Sequence, residues 1–144
     1  MEFPVRIPFV EHLGVRLEHM ADGLAVLLMM PQAEHHNSFD VVHGGVSMTL
    51  LDVVMAHAAR SVAPELGVVT VELKTSFMRP ALGVLRAEGE LLHRTATMAF
   101  TQARIVDEQG QVCSHATGTF KYVKRLPVGV KQTRDLNPPP ATDG

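Results

Sequence analysis

The sequence contains no tryptophan, one tyrosine and one cysteine in 144 residues. So few large aromatic rings argue against a stacking platform for nucleic acid or sugar. A lone cysteine, Cys113, cannot close an internal disulfide and fits a reducing, cytoplasmic compartment. Long apolar runs are missing too. No stretch reaches the ~18–20 residues of a membrane span, so no membrane partner is expected. Met1 to Arg6 show no charged segment leading into an apolar core, so no secretory leader is expected. Charge of one sign is also lacking: 13 Lys+Arg against 15 Asp+Glu give a formal net charge of −2. Without a cationic face to displace counterions, nucleic acid is not an expected partner.

What is present is a core. Hydrophobic residues make up 46% of the chain and charged residues 19%, the balance of a globular domain rather than a disordered chain. The length suits one domain. We place it at residues 1–126. Residues 127–144, with Pro138-Pro139-Pro140 and few apolar side chains, read as a mobile tail.

The apolar pattern orders the elements. A short helix is expected between Phe9 and Leu13, then a strand from Leu13 to His19. Asp22-Gly23 mark a turn, because both residues tolerate left-handed backbone. Leu24 to Met30 is a continuous apolar run, the pattern of a strand buried on both faces. A helix follows over about 44–61, ending before Pro64. From Gly67 the period becomes two. Val69, Val71, Leu73 and Phe77 alternate with Thr70, Glu72, Lys74 and Ser76. Leu85–Leu91, Met98–Val106 and Val112–Val123 are further strands, with a hairpin turn at Asp107–Gly110. Such alternation marks antiparallel strands with one buried face. The class is α+β, with a sheet curved around the one major helix.

That helix is apolar nearly all round, as buried helices are. Asp52 interrupts it, with Leu50-Leu51 before and Val53-Val54 after. An unpartnered carboxylate in such surroundings costs several kcal/mol. It must find hydrogen bonds, water or a proton, or else face solvent or pair with an arginine. A buried acid with a shifted pKa marks a candidate functional site. Asp52 lies towards the helix's positive end, which favours its charged form. The helix opens with His43-Gly44-Gly45, two glycines where first-turn N–H groups are free. Such an N–H is a good donor to a carbonyl oxygen gaining negative charge, and glycine lets that group approach.

Asn37, His43-Gly44-Gly45 and Asp52 together resemble the signature of the PaaI-like hotdog-fold acyl-CoA thioesterases, the thioesterase superfamily member 2 type included. The similarity continues through Gly67–Ala81 and Ala116–Phe120, and spans about residues 10–124. The resemblance implies a hotdog fold, five to six antiparallel strands around one long helix. It also implies a homodimer whose sheets join edge to edge, doubling to a homotetramer, with active sites at the dimer interface. In such proteins the Gly44 N–H polarises the thioester carbonyl. Asp52 of the other subunit acts as general base or nucleophile. Asn37 orients the carbonyl or the water, and His43 positions the site. Some relatives use a serine on the next strand to hold the water; Thr70 stands there here, although its parity places it opposite Val69 and Val71.

The expected reaction is hydrolysis of an acyl-CoA to free acid and coenzyme A. Lys74, Arg79 and Arg86, with Arg60, are candidates for the coenzyme A phosphates, because that end carries several negative charges. Coenzyme A is part of the substrate, and no separate cofactor is expected. No metal is expected either: His35, His36 and His43 lack the further ligands zinc takes, and Cys113 is remote in sequence. His57, five residues past Asp52, is off its helix face and reads as a satisfied buried histidine. Cys113 reads as a small hydrophobe. A hotdog hydratase or dehydratase, using His43 with Asp52, and a non-catalytic acyl-CoA-binding module are the alternatives.

Overall fold

The chain runs α1 (Pro8–Leu13), β1 (Arg16–Ala21), β2 (Leu24–Met29), a 3₁₀ turn (Ala33–His35), α2 (Gly44–Arg60), β3 (Leu66–Phe77), β4 (Leu85–Arg94), β5 (Met98–Val106) and β6 (Val112–Lys124). The computed structural model describes residues 1–124. The last two residues of the expected domain and the expected tail, 127–144, lie outside the described residues.

The six strands form one antiparallel sheet in the order β1-β2-β4-β5-β6-β3. β1 and β2 form a hairpin whose turn puts Asp22 at φ 54° and Gly23 at φ 81°, the left-handed geometry these residues accept. The chain then crosses through α2, and β3 joins the opposite end of the sheet. The sheet wraps the helix. Leu50, Leu51, Val54, Met55, Ala58 and Ala59 of α2 are buried against Leu27, Met29, Leu85, Ile105 and Phe120 of the strands. Burying each large side chain contributes about 1.5–3 kcal/mol. The approach is closest at Gly89, where a Cβ would stand 2.7 Å from the Val54 carbonyl oxygen, so only glycine fits. Tyr122 ties sheet to helix by donating its hydroxyl to the Ala59 carbonyl at 2.7 Å.

Two expectations need correction. The run Leu24–Met30 does not make a strand buried on both faces. Ala25, Leu27 and Met29 face the helix, while Leu24 is exposed and Val26 and Leu28 are half-buried. The sheet is a single layer, and among the described residues nothing covers its outer face.

The second correction concerns β3. The simple alternation fails because of a bulge. Thr70 pairs with Phe120, but Glu72 pairs with Thr119, so Val71 is the extra residue. An extra residue reverses the parity of everything beyond it. Thr70 therefore shares the inward face with Leu73, Thr75 and Phe77, and Val69 and Val71 are exposed. β3 is also an edge strand, and its side chains are half-buried or exposed along its whole length.

Candidate active site

The helix begins where its sequence says it should. His43 is the N-cap, and its Nδ1 accepts the Gly45 N–H at 2.8 Å. The His43 N–H donates to the His35 carbonyl at 2.8 Å and pins the cap to the preceding loop. The Val46 and Ser47 N–H groups return to the His43 carbonyl. Gly44 is left as the first helical residue, and its N–H has no acceptor among the described residues. The end ring atom of Phe77 lies 3.3 Å from where a Gly44 Cβ would stand. A larger residue would press on that ring.

Asn37 shapes the loop before the helix. Its Oδ1 accepts the N–H groups of Phe39 at 2.9 Å and Val41 at 3.3 Å, and its own N–H donates to the Val41 carbonyl. The side-chain carbonyl is thus committed to the loop, and the amide NH₂ is the end that remains for a ligand. Asn37, Gly44, Ser47, Phe77, Met78, Arg79, Cys113 and Ser114 line one cleft of about 690 Å³. The sequence placed Asn37, Gly44 and Arg79 among the site residues, and the structure gathers those three here.

Asp52 does not line this cleft. It sits eight residues into α2, roughly 12 Å along the axis from Gly44. There its Oδ1 accepts the Thr70 hydroxyl at 2.6 Å. The bulge at Val71 is what turns Thr70 inward to make this bond. Burial pushes the Asp52 carboxyl above its ordinary value, and the Thr70 hydrogen bond offsets part of that rise. The expected help from the helix's positive end does not prevail, because that field falls off within the first turn.

The other candidates are dispersed. Arg79 donates to the Val112 carbonyl at 3.3 Å beside the cleft. Lys74 is exposed on β3. Arg86 lies on the outer face of the sheet, bound to Glu18 and Glu88, with Arg104 on the other oxygen of Glu88. Arg60 is buried, and its guanidinium closes the end of α2 on the carbonyls of Leu66 and Pro64. Neither Arg60 nor Arg86 reaches the cleft.

Three histidines and Cys113 remain. His35 accepts the Gln32 N–H, and His36 meets Asp40 at 3.0 Å. Among the described residues no three His, Cys, Asp or Glu side chains come together as a metal cluster would. Cys113 is buried, which pushes its thiol above the ordinary range. His57 is buried with Nδ1 at 2.7 Å from the Val53 carbonyl, and Phe3 packs edge-on against its ring. It is only half satisfied, since its Nε2 is buried without a partner. Burial lowers its pKa, Arg60 lowers it further, and the Val53 bond works the other way.

The sequence did not single out Ser47, Phe77 or Ser114. Ser47 carried a readable signal, a second polar residue in an apolar helix, one turn beyond Gly44. Phe77 and Ser114 carried none. They are brought together only by the β3–β6 register, in which they are direct partners.

A long helix wrapped by a curved antiparallel sheet defines a hotdog protein, and here the helix carries a free N–H at its start and a half-buried acid within it. The comparisons give the family. The thioesterase superfamily profile matches residues 39–114. A protein of Saccharolobus solfataricus named as an esterase is 29% identical over 120 residues, covering 83% of this chain and 85% of its own. The proofreading thioesterase EntH of Klebsiella pneumoniae is 30% identical, covering 72% of this chain and 77% of its own. The solved structure of the E. coli PaaI protein, from the phenylacetic acid degradation operon, superposes with a TM-score of 0.75 at 25% identity, over 80% of this chain and 83% of its own. The chain belongs to the thioesterase superfamily, hydrolases that act on small thioester substrates. Among the described residues no helix is long and apolar enough to cross a membrane.

Proposed function

We propose that this protein hydrolyses an acyl-CoA thioester to the free acid and coenzyme A, as a homodimer that builds each site from two protomers. One observation carries the reading. The two halves of a hydrolytic apparatus sit on one helix, yet in separate places. The unpaired Gly44 N–H opens into the cleft, while Asp52 lies about 12 Å away beside the free edge of the sheet. A second copy pairing along that edge supplies its own Asp52 to the first copy's cleft. β3 suits such pairing: it is 12 residues long, ends the sheet, and exposes Val69 and Val71.

The chemistry then follows from the residues. The thioester oxygen accepts the Gly44 N–H, which stabilises the charge that forms on it. Asp52 takes a proton from water as the water oxygen bonds to the carbonyl carbon. The tetrahedral intermediate collapses, the C–S bond breaks, and coenzyme A leaves as its sulfur regains the proton. Direct attack by Asp52, through an anhydride that water then opens, balances equally well. Thr70 orients Asp52, His43 holds the first turn in shape, and the Asn37 amide faces the bound carbonyl or water. Arg79 at the cleft, with Lys74 on β3, is suited to the coenzyme A phosphates; Arg86 is already paired with acids. Reduced, buried Cys113 suits a cytoplasmic protein, and a homotetramer is the expected larger assembly.

The test is thiol release from aryl, short-chain and long-chain acyl-CoAs, with light scattering for the assembly. Turnover by a dimer or tetramer is expected. Acyl-CoA binding without thiol release would point to a binding module. Hydration of an enoyl-CoA without thiol release would point to a hydratase.

A further inference from the structure

The segment before α1 rests on α2 and is held there by apolar contact. Phe3 packs on His57, with ring centroids 5.2 Å apart and the planes at 71°. Ile7 adds a second half-buried contact with the core. Among the described residues no hydrogen bond joins residues 1–5 to the rest of the fold. Arg6 pairs with Glu11 of α1 at the surface, and the Ile7 carbonyl accepts the Glu11 N–H as α1 begins. A segment without backbone hydrogen bonds opens easily. What it rests on is a histidine with an unmet need. His57 is 2% exposed, and its Nδ1 lies 2.7 Å from the Val53 carbonyl. A carbonyl only accepts, so Nδ1 carries the proton and Nε2 holds a bare lone pair. That Nε2 is buried without a partner.

A second proton turns Nε2 into a donor and the ring into a cation, where no acceptor is within reach among the described residues. The neighbouring charges do not relieve it. Arg60, three residues further along α2, is a like charge. Asp52, five residues back, takes the Thr70 hydroxyl instead. The segment itself presents the uncharged Phe3 ring, and its charged residues, Glu2 and Arg6, are exposed. Among the described residues no carboxylate of α1 or the strands acts on the imidazole. We propose that residues 1–7 form a strap latched by Phe3 on neutral His57, and that protonation of His57 releases it. A half-buried phenyl ring holds weakly, and an unpaired buried charge is the larger penalty, so the ring gives way. Burial holds the latched imidazole below its ordinary 6.5; the Val53 bond offsets part of this, and Arg60 adds to it. The released ring, in water, takes the proton more readily. Between the ordinary and the latched values, the ratio of released to latched strap therefore rises about tenfold for each unit of pH lost. Release bares Phe3 and opens one flank of α2. This inference stands apart from the thioesterase reading.

The chain has no tryptophan, so Phe3→Trp places a single fluorescent reporter on the latch. Its emission maximum and its quenching by acrylamide are read from pH 8 to pH 5, with far-UV circular dichroism alongside. The reporter is expected to be shielded at pH 8. It should redden and open to the quencher as pH falls below 6.5, with the dichroism unchanged. With His57→Gln added, it should stay shielded throughout. A reporter equally shielded at both ends of the range overturns the proposal, and so does release that persists in His57→Gln. Release that comes only with loss of the far-UV signal overturns it too, since His57 would then govern the whole fold and not the strap. Where either substitution unsettles the latch at pH 8, the unmutated chain decides by NMR. There the Phe3–His57 ring contact, read as a nuclear Overhauser effect, should vanish as the imidazole takes its proton. A contact that survives protonation overturns the proposal, because Phe3 would then be holding the cation.

Discussion

The two halves of α2 share one apolar composition and have opposite characters. The first, Gly44 to Asp52, keeps its polar groups accessible: a free N–H at the cleft and a half-buried acid held by Thr70. The second, Val53 to Arg60, seals its polar groups in. His57 leans on the Val53 carbonyl, and Arg60 caps the helix end on two carbonyls. Asp52 and His57 are both pushed by burial towards their neutral forms. Of the two, only Asp52 bonds to the edge strand of the sheet, through Thr70, and only Asp52 enters the proposed mechanism. A perturbed pKa is therefore not by itself a sign of function; the geometry around the group separates chemistry from packing.

The sharpest way to break this comparison is to delete both groups in turn. Asp52→Ala is expected to lower kcat by about 10²–10⁴, the usual reach of a general base, with little loss of Tm. Thiol release read beside thermal melts checks both halves of the statement. Near-wild-type turnover on every substrate would remove Asp52 from the mechanism.

Packing is tested one residue earlier. Leu51 is fully buried, and Leu51→Ala is expected to cost about 2–5 kcal/mol of stability in denaturant titration. If Asp52→Ala destabilises as much as Leu51→Ala, the division of the helix fails.

The pH dependences run in opposite directions. His57 is lowered below the ordinary 6.5, so the unfolded chain binds its proton more readily. Its stabilising contribution is complete above pH 6.5 and is lost as pH falls through the folded value. Asp52 is raised above the ordinary 3.8, so its contribution is complete below that pH and is lost as pH rises through the folded value. Melting from pH 8 to pH 5 should show falling Tm, and His57→Gln should flatten the fall. Asp52→Asn removes the opposing contribution, so the fall should persist or steepen, with Tm slightly raised at pH 7.

The smallest effect is expected at Thr70. Its hydrogen bond lowers the Asp52 pKa, so Thr70→Val should move the acid limb of the kcat/KM profile to higher pH, and Thr70→Ser should restore it. An unmoved limb would show that Thr70 has no hold on the carboxylate.

Much of this was legible in the chain. The helix was expected over about 44–61 and found over Gly44–Arg60, because a lone apolar helix has unmistakable periodicity and a clear start at His43-Gly44-Gly45. The strands and their antiparallel arrangement were legible from the period of two. Asp52 stood out as a candidate because an acid between Leu-Leu and Val-Val breaks an apolar helix, and the structure finds it half-buried on the Thr70 hydroxyl. The placement of Thr70 was not. A bulge changes parity without changing composition, so the alternation around Val69 and Val71 pointed the wrong way. The exposed outer face of β2 was hidden for a related reason: an apolar run does not reveal whether a second layer exists to cover it.

The sequence by itself determined the elements, much of the core and the candidates for chemistry, because periodicity, capping and a misplaced charge are local properties. The tertiary structure alone decided which of those residues meet. It separated Asp52 from the Gly44 cleft, removed Arg60 and Arg86 to structural partnerships, and set Ser114 beside Phe77. Those relations depend on strand order and register, where a single inserted residue reverses a face, and no local pattern in the chain records them.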